Sequence, residues 1–398
     1  MMKGNDVKLN EKNVGLGKVR STIRELFEYG KKRKAEIGDD NVFDFSIGNP
    51  SVPAPEEVHR ALLDLIQNEN PVELHGYTSA QGDKSVRRAV ADNLNSRFNT
   101  RLTEDCIYMT CGASASLSIS LNAVLNDGDE VIVFAPFFPE YRVFCENAGG
   151  KLVVIDCGEG FQPNLKKFAE ALNGRTKAVI VNSPNNPSGV IYSEDTIKSI
   201  VALIEKRDNP IYIISDEPYR ELAYQGEKVP FIMNYYKRSL VCYSYSKVLS
   251  LPGERIGYIA VNNEAEEFED LYAGVMGAGR ALGYVCAPAL FQKLVARCQN
   301  ITSDFSVYRK NRDRLLERLS AFGFEFAKPD GAFYLFVKAP DGSAKEFAER
   351  AKKYELLLVA GDSFGCGEYV RISYCVSAEM IERSLPAFEK LAKSYNLC

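Results

Sequence analysis

Residues 244–257 read Ser244-Tyr245-Ser246-Lys247-Val248-Leu249-Ser250-Leu251-Pro252-Gly253-Glu254-Arg255-Ile256-Gly257. One amine stands on a short polar turn, with hydroxyls just before it and a guanidinium eight residues later. An amine that forms Schiff bases needs a desolvated setting beside cationic or polar groups, which keep part of it neutral. Past the Pro-Gly turn, Arg255 can fold back and grip a phosphate with its forked donor face. Amine and phosphate clamp together point to a lysine-bound aldehyde cofactor that carries a phosphate, and pyridoxal phosphate is such a cofactor. Two plainer readings compete. A lysine on a turn is most often a solvated charge. Ser244-x-x-Lys247 also matches the acylated-serine motif of penicillin-binding proteins, but the Ser-Asp-Asn and Lys-Thr-Gly tripeptides that accompany it are absent.

Composition narrows the classes. The chain has 398 residues, 45% hydrophobic and 26% charged, which suits a soluble globular protein with room for two domains. A net charge of −4 leaves no electrostatic footprint for nucleic acid or anionic lipid. No apolar run approaches the ~20 residues of a membrane helix. Met1 to Gly15 are polar and charged with no apolar signal core, so the expected location is the cytoplasm. The ten cysteines form no Cys-x-x-Cys pair, and Cys242, Cys286 and Cys375 sit in apolar runs as reduced thiols would. With only two histidines, His59 and His75, a Ser-His-Asp mechanism or a His-rich metal site is all but excluded by arithmetic.

From about residue 105, short β-rich runs alternate with amphipathic stretches. Ile107–Thr110, Val131–Ala135, Leu152–Asp156, Ala178–Asn182, Ile211–Asp216, Leu240–Tyr243 and Ile256–Val261 read as strands. Helical periodicity fills most gaps, as in Ala115–Leu125, Asn164–Leu172 and Ser193–Lys206. The expected fold is α/β, a large domain whose mostly parallel sheet is covered by helices on both faces. A smaller α+β domain is expected from both termini, taking helix Arg20–Ile37 with Val42–Ile47, then Phe333–Val337, Leu356–Val359, Val370–Tyr374 and a final helix. The boundaries read as 51–290 for the large domain and 1–50 with 323–398 for the small one. Between them, 291–322 is expected to be an interdomain linking helix, from one long helical pattern over roughly Ala287 to Ala321.

In open α/β sheets, ligands bind beyond the carboxyl ends of the strands. Four segments bring unusual polar groups to that edge: Cys111-Gly112-Ala113-Ser114, Ser183-Pro184-Asn185-Asn186-Pro187-Ser188-Gly189, Ser215-Asp216-Glu217-Pro218-Tyr219, and the Lys247 turn. The first precedes a helix, whose amides with Ser114 can cradle a phosphate.

This set resembles the class I, fold-type I pyridoxal-phosphate aminotransferases, the family of aspartate aminotransferase, from about Ser46 to Ser373. The Ser-x-Ser-Lys…Arg and Asn-x-Pro-x-Gly elements carry the likeness. The resemblance implies that Lys247 bears the cofactor as a Schiff base. Asp216 would pair with the pyridine nitrogen, and Tyr219 and Asn186 would hydrogen-bond the ring's 3-oxygen. Arg255, Ser244, Ser246 and the loop of Gly112, Ala113 and Ser114 would hold the phosphate. Phe138, in Pro136-Phe137-Phe138-Pro139, would stack on the ring where many relatives have tryptophan, a residue this chain lacks. Tyr77 matches a tyrosine that reaches the phosphate of the neighbouring subunit, which implies a homodimer with shared active sites. Arg371 would bind the substrate α-carboxylate, and Gly48 would let backbone approach the substrate. Arg280 falls near the place of an arginine that reads a distal carboxylate, although Gly277-x-Gly279 and Tyr284 depart from that pattern.

The implied activity is transfer of an amino group from an L-amino acid, with an aspartate-like donor in view, to a 2-oxo acid in two half-cycles. The same cofactor site also serves β-eliminating lyases such as cystathionine β-lyase, and the residues alone leave that alternative open. A regulator with a fused helix-turn-helix is disfavoured, because the residues before Arg20 are too few for that module.

Overall fold

The run Glu130–Phe134 faces two cores in turn. Val131 and Val133 pack into one, Ile132 and Phe134 into the other. Val179 and Val181 against Ala178 and Ile180 repeat the alternation. A strand buried on both faces is what a sheet between two helical layers requires. The computed structural model describes residues 9–18, 21–224 and 226–397.

Among the described residues the strands run as follows. β1 (Phe43–Asp44) comes first. β2 (Ile107–Thr110), β3 (Glu130–Phe134), β4 (Lys151–Ile155), β5 (Thr176–Asn182), β6 (Tyr212–Asp216), β7 (Ser239–Ser244) and β8 (Gly257–Val261) follow. β9 (Phe326–Ala327), β10 (Tyr334–Lys338), β11 (Leu356–Leu357), β12 (Val359–Ala360) and β13 (Tyr369–Ser373) complete the set. Strands β2 to β8 form a seven-stranded sheet in the order β2-β8-β7-β6-β5-β3-β4. β8 runs antiparallel to both neighbours, and the other six share one direction. Their carboxyl ends therefore meet at one edge, together with the amino end of β8. The antiparallel sheet β12-β13-β10-β9 has its own apolar core, which includes Phe333, Leu335, Phe347 and Phe388. β1 pairs in parallel with β11.

Helix starts follow local chemistry. Ser193 accepts from Thr196 N, Asp83 from Ser85 N and Val86 N, and Ser377 from Met380 N. Such a cap is worth ~1 kcal/mol, whereas fully burying one Val or Ile contributes ~1.5–3 kcal/mol. The doubly buried strands therefore carry the fold, and caps only set where helices begin. Helix Ala113–Val124 lies against helix Phe268–Leu282, where Gly274 leaves its ideal Cβ position 3.3 Å from the Ala123 carbonyl.

Two expectations need correction. The pattern over Ala287–Ala321 is not one helix but two, Ala289–Arg297 and Ser306–Ala321. The polar run between them uses its hydrogen bonds elsewhere. Gln299 donates to the Tyr245 hydroxyl, Ser303 N donates to the Val248 carbonyl, and Asp304 accepts from Ser306 N. Ser, Asn and Asp side chains compete with helical bonds in this way, and here Gln299 and Ser303 buttress the Lys247 turn. The expected strand Leu356–Val359 likewise breaks at Leu358, its first half joining β1 and its second joining β13.

β8 passes so close to its neighbours that a Cβ at Gly257 would collide with the Tyr243 carbonyl and come within 3.0 Å of Gly112 Cα. Gly257→Ala is expected to destabilise the fold by about 1–3 kcal/mol through overpacking. A urea titration would read this as a lower midpoint at unchanged slope.

Candidate active site

The register brings the four predicted segments to one edge. Asn182 pairs with Asp216, Asp216 with Cys242, and Gly257 with both Ser244 and Thr110. Just past β7, the single-turn helix Tyr245–Val248 is capped by Ser244, whose hydroxyl accepts from Ser246 N. This turn carries Lys247. Its Nζ donates to the Gly48 carbonyl at 2.6 Å and lies 5.4 Å from the centre of the Phe333 ring. Burial lowers the amine from its ordinary 10.5 to about 8; the Cys375 thiol opposes that shift, and Arg255 and Arg371 add to it.

Asp216 ends β6 and is buried. The Tyr141 hydroxyl donates to its Oδ2 at 2.5 Å, while Oδ1 has no partner among the described residues. Burial raises the carboxyl from 3.8 to about 7, against the lowering effect of the Tyr141 bond. Asn182 donates to the Asp216 carbonyl at 2.9 Å and accepts from Asn186 N at 2.8 Å, which ties the Asn186 loop to the same strand end. The Tyr219 hydroxyl meets that of Tyr334 at 2.7 Å.

Arg371 comes from the middle of β13, yet only 2% of it is exposed. One amino group donates to Asn186 Oδ1 at 2.9 Å and the other to the Ser46 carbonyl at 2.6 Å. Its Nε has no partner among the described residues, and the guanidinium lies 4.6 Å from the Tyr334 ring centre and 5.1 Å from that of Phe364. Burial lowers its proton affinity. Among the described residues no carboxylate neutralises it, which is the setting of a cation reserved for an anionic ligand. Gly48 has no room for a side chain, because a Cβ there would collide with the Tyr334 hydroxyl.

On the other side, Gly112 caps helix Ala113–Val124 at φ 85, a conformation glycine adopts without steric penalty. A Cβ at Gly112 would sit 2.8 Å from Arg255 Nη2, so Arg255 lies directly against this turn. Arg255 itself holds a left-handed φ of 51, and its exposed guanidinium donates to the Pro252 carbonyl at 3.1 Å. Ser244 and Ser246 share a hydrogen bond of 2.6 Å. Ala113 and Ser114 open the helix, with Ser114 exposed. Phe138 is partly buried and meets Tyr141 edge-on at 5.6 Å.

Lys247, Asp216, Tyr219, Asn186, Arg371 and Gly48 thus form one connected neighbourhood, and Gly112, Arg255, Ser244 and Ser246 form its margin. Tyr77 and Arg280 stand apart. Tyr77 is 99% exposed, and Arg280 is exposed in the last turn of helix Phe268–Leu282. Neither side chain bonds to a described residue. Both histidines are exposed.

Sequence reasoning missed Tyr141, Tyr334, Phe333, Ser46 and Asn182. Tyr141 stands three residues after Phe138, within one helical turn, which was the available signal. Nothing local marks Tyr334, whose place depends on β10 meeting the large sheet.

The residues fit pyridoxal phosphate. An unpartnered buried carboxylate oxygen suits a protonated ring nitrogen. A partly neutral buried amine suits an aldehyde. A glycine turn at a helix start beside a guanidinium suits a phosphate.

Comparison with known proteins agrees. Residues 40–388 match the family model for aminotransferase class I and II. The chain is similar to an aspartate aminotransferase of Thermotoga maritima, 31% identical over 94% of this chain and 97% of the relative. It is also similar to an aspartate/prephenate aminotransferase of Thermus thermophilus, 28% identical over 86% and 89% of the two chains. Among solved structures, an amino transferase from Eubacterium rectale matches with a TM-score of 0.95 and 55% identity, over 98% and 99% of the chains. The Thermotoga maritima aspartate aminotransferase matches at 0.86 with 29% identity, over 96% and 99%.

The raised Asp216 carboxyl has a consequence for the cofactor-free chain. A group whose proton affinity rises on folding stabilises fully below its unfolded value, and that stability is lost as pH climbs through the folded one. The window here is about 3.8 to 7. Asp216→Asn keeps an acceptor for Tyr141 and removes the buried charge. It is expected to stabilise the cofactor-free chain by on the order of 4 kcal/mol at pH 8 and by little near pH 4, read from denaturant midpoints at both pH values.

Proposed function

The chain belongs to the aminotransferase class I and II family and is a pyridoxal-phosphate-dependent aminotransferase, and we propose that Lys247, Asp216 and Tyr219 carry its chemistry. The observation that carries this assignment is a buried, partly neutral amine and a buried, unpartnered carboxylate oxygen on the adjacent strand ends of β7 and β6. When bound, pyridoxal phosphate supplies an electrophilic aldehyde and a ring that takes up negative charge from the substrate's α-carbon.

The protein residues then divide the work. Lys247, with an affinity near 8, holds a useful neutral fraction at physiological pH and moves the α-proton as base and then as acid. Asp216 ionises once a cation faces Oδ1, because the attraction offsets the burial that raises it, and it keeps that cation protonated. Tyr141 fixes the carboxylate's orientation through Oδ2. Tyr219 and Asn186 donate toward the ring oxygen, with Tyr334 orienting the Tyr219 phenol. Phe138 covers the ring. Gly112, Ala113, Ser114, Ser244, Ser246 and Arg255 bind the phosphate with amides, hydroxyls and a forked cation. Arg371 takes the substrate α-carboxylate in its two-pronged face, and Gly48 leaves the space it needs.

The substrates are amino acids and 2-oxo acids. An aspartate-like donor is supported by relatives named for aspartate or for aspartate and prephenate, and Arg280 is the proposed reader of a distal carboxylate. The lyase reading has no such support, since the relatives reported above all carry aminotransferase names. We further propose a cytoplasmic homodimer with shared sites, in which Tyr77 reaches the partner's phosphate. Its support is the exposure of Tyr77 with Tyr284 and Val285, which the bond from Cys286 N to the Ala80 carbonyl brings alongside. The proposed division into 51–290 and 1–50 with 323–398 is supported by the four-stranded sheet lying wholly in the second part.

Lys247→Ala should remove the visible absorbance of the bound cofactor and lower turnover by at least about 10⁴-fold; a yellow, active variant would refute the role. A panel of amino donors with 2-oxoglutarate and oxaloacetate, taken under initial-rate conditions, is expected to give the parallel double-reciprocal lines of a ping-pong reaction. Within it, Arg280→Ala should reduce kcat/KM for aspartate by about tenfold or more and leave alanine unchanged. Equal losses on both donors would remove Arg280 from the substrate site.

A further inference from the structure

The loop from Gly76 to Asp83 carries Tyr77, whose exposed side chain bonds to no described residue. Nothing the phenol touches can aim it, so the backbone of that loop sets its direction. Several contacts fix that backbone. The Gln81 carbonyl accepts from Met109 N of β2 at 2.9 Å, and the Ala80 carbonyl from Cys286 N at 3.1 Å. The Thr78 carbonyl accepts from Cys286 Sγ at 3.4 Å, and the Gly82 carbonyl from Arg87 Nε at 3.2 Å. One side chain ties the two ends of the loop together. Gln292, in helix Ala289–Arg297, is fully buried. Its Oε1 accepts from Asp83 N at 2.8 Å, while its Nε2 donates to Thr78 Oγ1 at 3.3 Å and to the Ala287 carbonyl at 2.5 Å. A Cβ at Gly82 would come within 2.9 Å of that Oε1 and collide with Met109, so the loop is pressed against both.

We propose that Gln292 is a positioning residue for cofactor binding across the subunit boundary, holding residues 78 and 83 so that Tyr77 points at the partner's phosphate, a role that rests on the reading that Tyr77 makes that contact. The chemistry of the spot selects an amide. Asp83 N needs an acceptor and the Ala287 carbonyl needs a donor. The Thr78 hydroxyl gives its own proton to the Ser79 carbonyl at 3.0 Å, so it too takes a donor. Glutamine meets all three from one planar group, whereas glutamate has only acceptors and methionine only a weak one. Asp83 also caps helix Lys84–Phe98 through Ser85 N and Val86 N. The amide therefore fixes Thr78 against a helix start on one side and its own helix on the other. Hydrogen bonds weaken steeply with misalignment, and Tyr77 is one residue from the Thr78 end. Loosening that end is felt wherever the phenol bonds.

The test is cofactor retention by the diluted holoenzyme, read from its visible absorbance, in a double-mutant cycle. Tyr77→Phe is expected to raise the cofactor dissociation constant about tenfold or more, since a hydrogen bond to a charged group is lost. Gln292→Met should raise it about threefold or more in the otherwise native chain, and by less than about twofold in the Tyr77→Phe background. A role in folding alone would weaken retention equally in both backgrounds. That equality, or unchanged retention in Gln292→Met, would overturn the proposal while leaving Tyr77 at the phosphate. Unchanged retention in Tyr77→Phe would instead remove Tyr77 from the phosphate, and the role of Gln292 with it. Should Gln292→Met fail to fold, Thr78→Val takes its place in the same cycle with the same expected outcomes, because that side chain is only partly buried.

Discussion

Two ionisable groups of opposite sign are held at one sheet edge in a setting that favours neither charge. Burial lifts the Asp216 carboxyl to about 7 and drops the Lys247 amine to about 8, so their ordinary separation of more than six units shrinks to about one. The parallel pairing of β6 with β7 brings both strand ends to that edge. Burying an uncompensated charge is expensive enough to move proton affinities by several units. The surrounding fold must therefore provide that stability from elsewhere, and strands buried on both faces do so. An unoccupied hydrogen-bonding capacity remains at Asp216 Oδ1 and Arg371 Nε. A ligand that completes both would convert two liabilities into contacts.

Arg371 links the two sheets. It belongs to β13 but is held by Asn186 from the large sheet's edge and by the Ser46 carbonyl beyond β1. Asp44 in turn accepts from Ser46 N and Oγ, at 3.0 and 2.6 Å, and so fixes the carbonyl's direction. The site is thus assembled from three stretches distant in sequence, each supplying a part the others lack.

The sequence made some of this legible and concealed the rest for physical reasons. Strand ends at or within a residue of 110, 182, 216 and 244 were readable, because doubly buried strands leave continuous Val, Ile and Tyr runs closed by Gly, Pro, Asn or Asp. Lys247, Asp216 and Arg255 were readable for the same reason, each standing just beyond or before such a run. Tyr141 and Tyr334 were not. Their partners, Asp216 and Tyr219, are 75 and 115 residues away, and no local pattern distinguishes a phenol bound to a carboxylate from one in a core. The break at 298–305 was hidden because Gln299 and Ser303 bond to the distant Lys247 turn while Asp304 bonds to Ser306 N. Leu358 was hidden because period alone cannot tell one strand from two that diverge.

That divergence ties the amino-terminal segment to the carboxylate-binding arginine. Leu356 and Leu357 grip Phe43 and Asp44, and two residues later Val359 lies opposite Arg371. The chain there works like a knuckle shared by two fingers. Any tug on the stretch from Phe43 to Gly48 arrives at the guanidinium through the Ser46 carbonyl and at its strand through the knuckle. It also arrives at the amine of Lys247, which rests on the Gly48 carbonyl. A motion of the stretch from Phe43 to Gly48 would therefore be felt at both ends of the cleft at once.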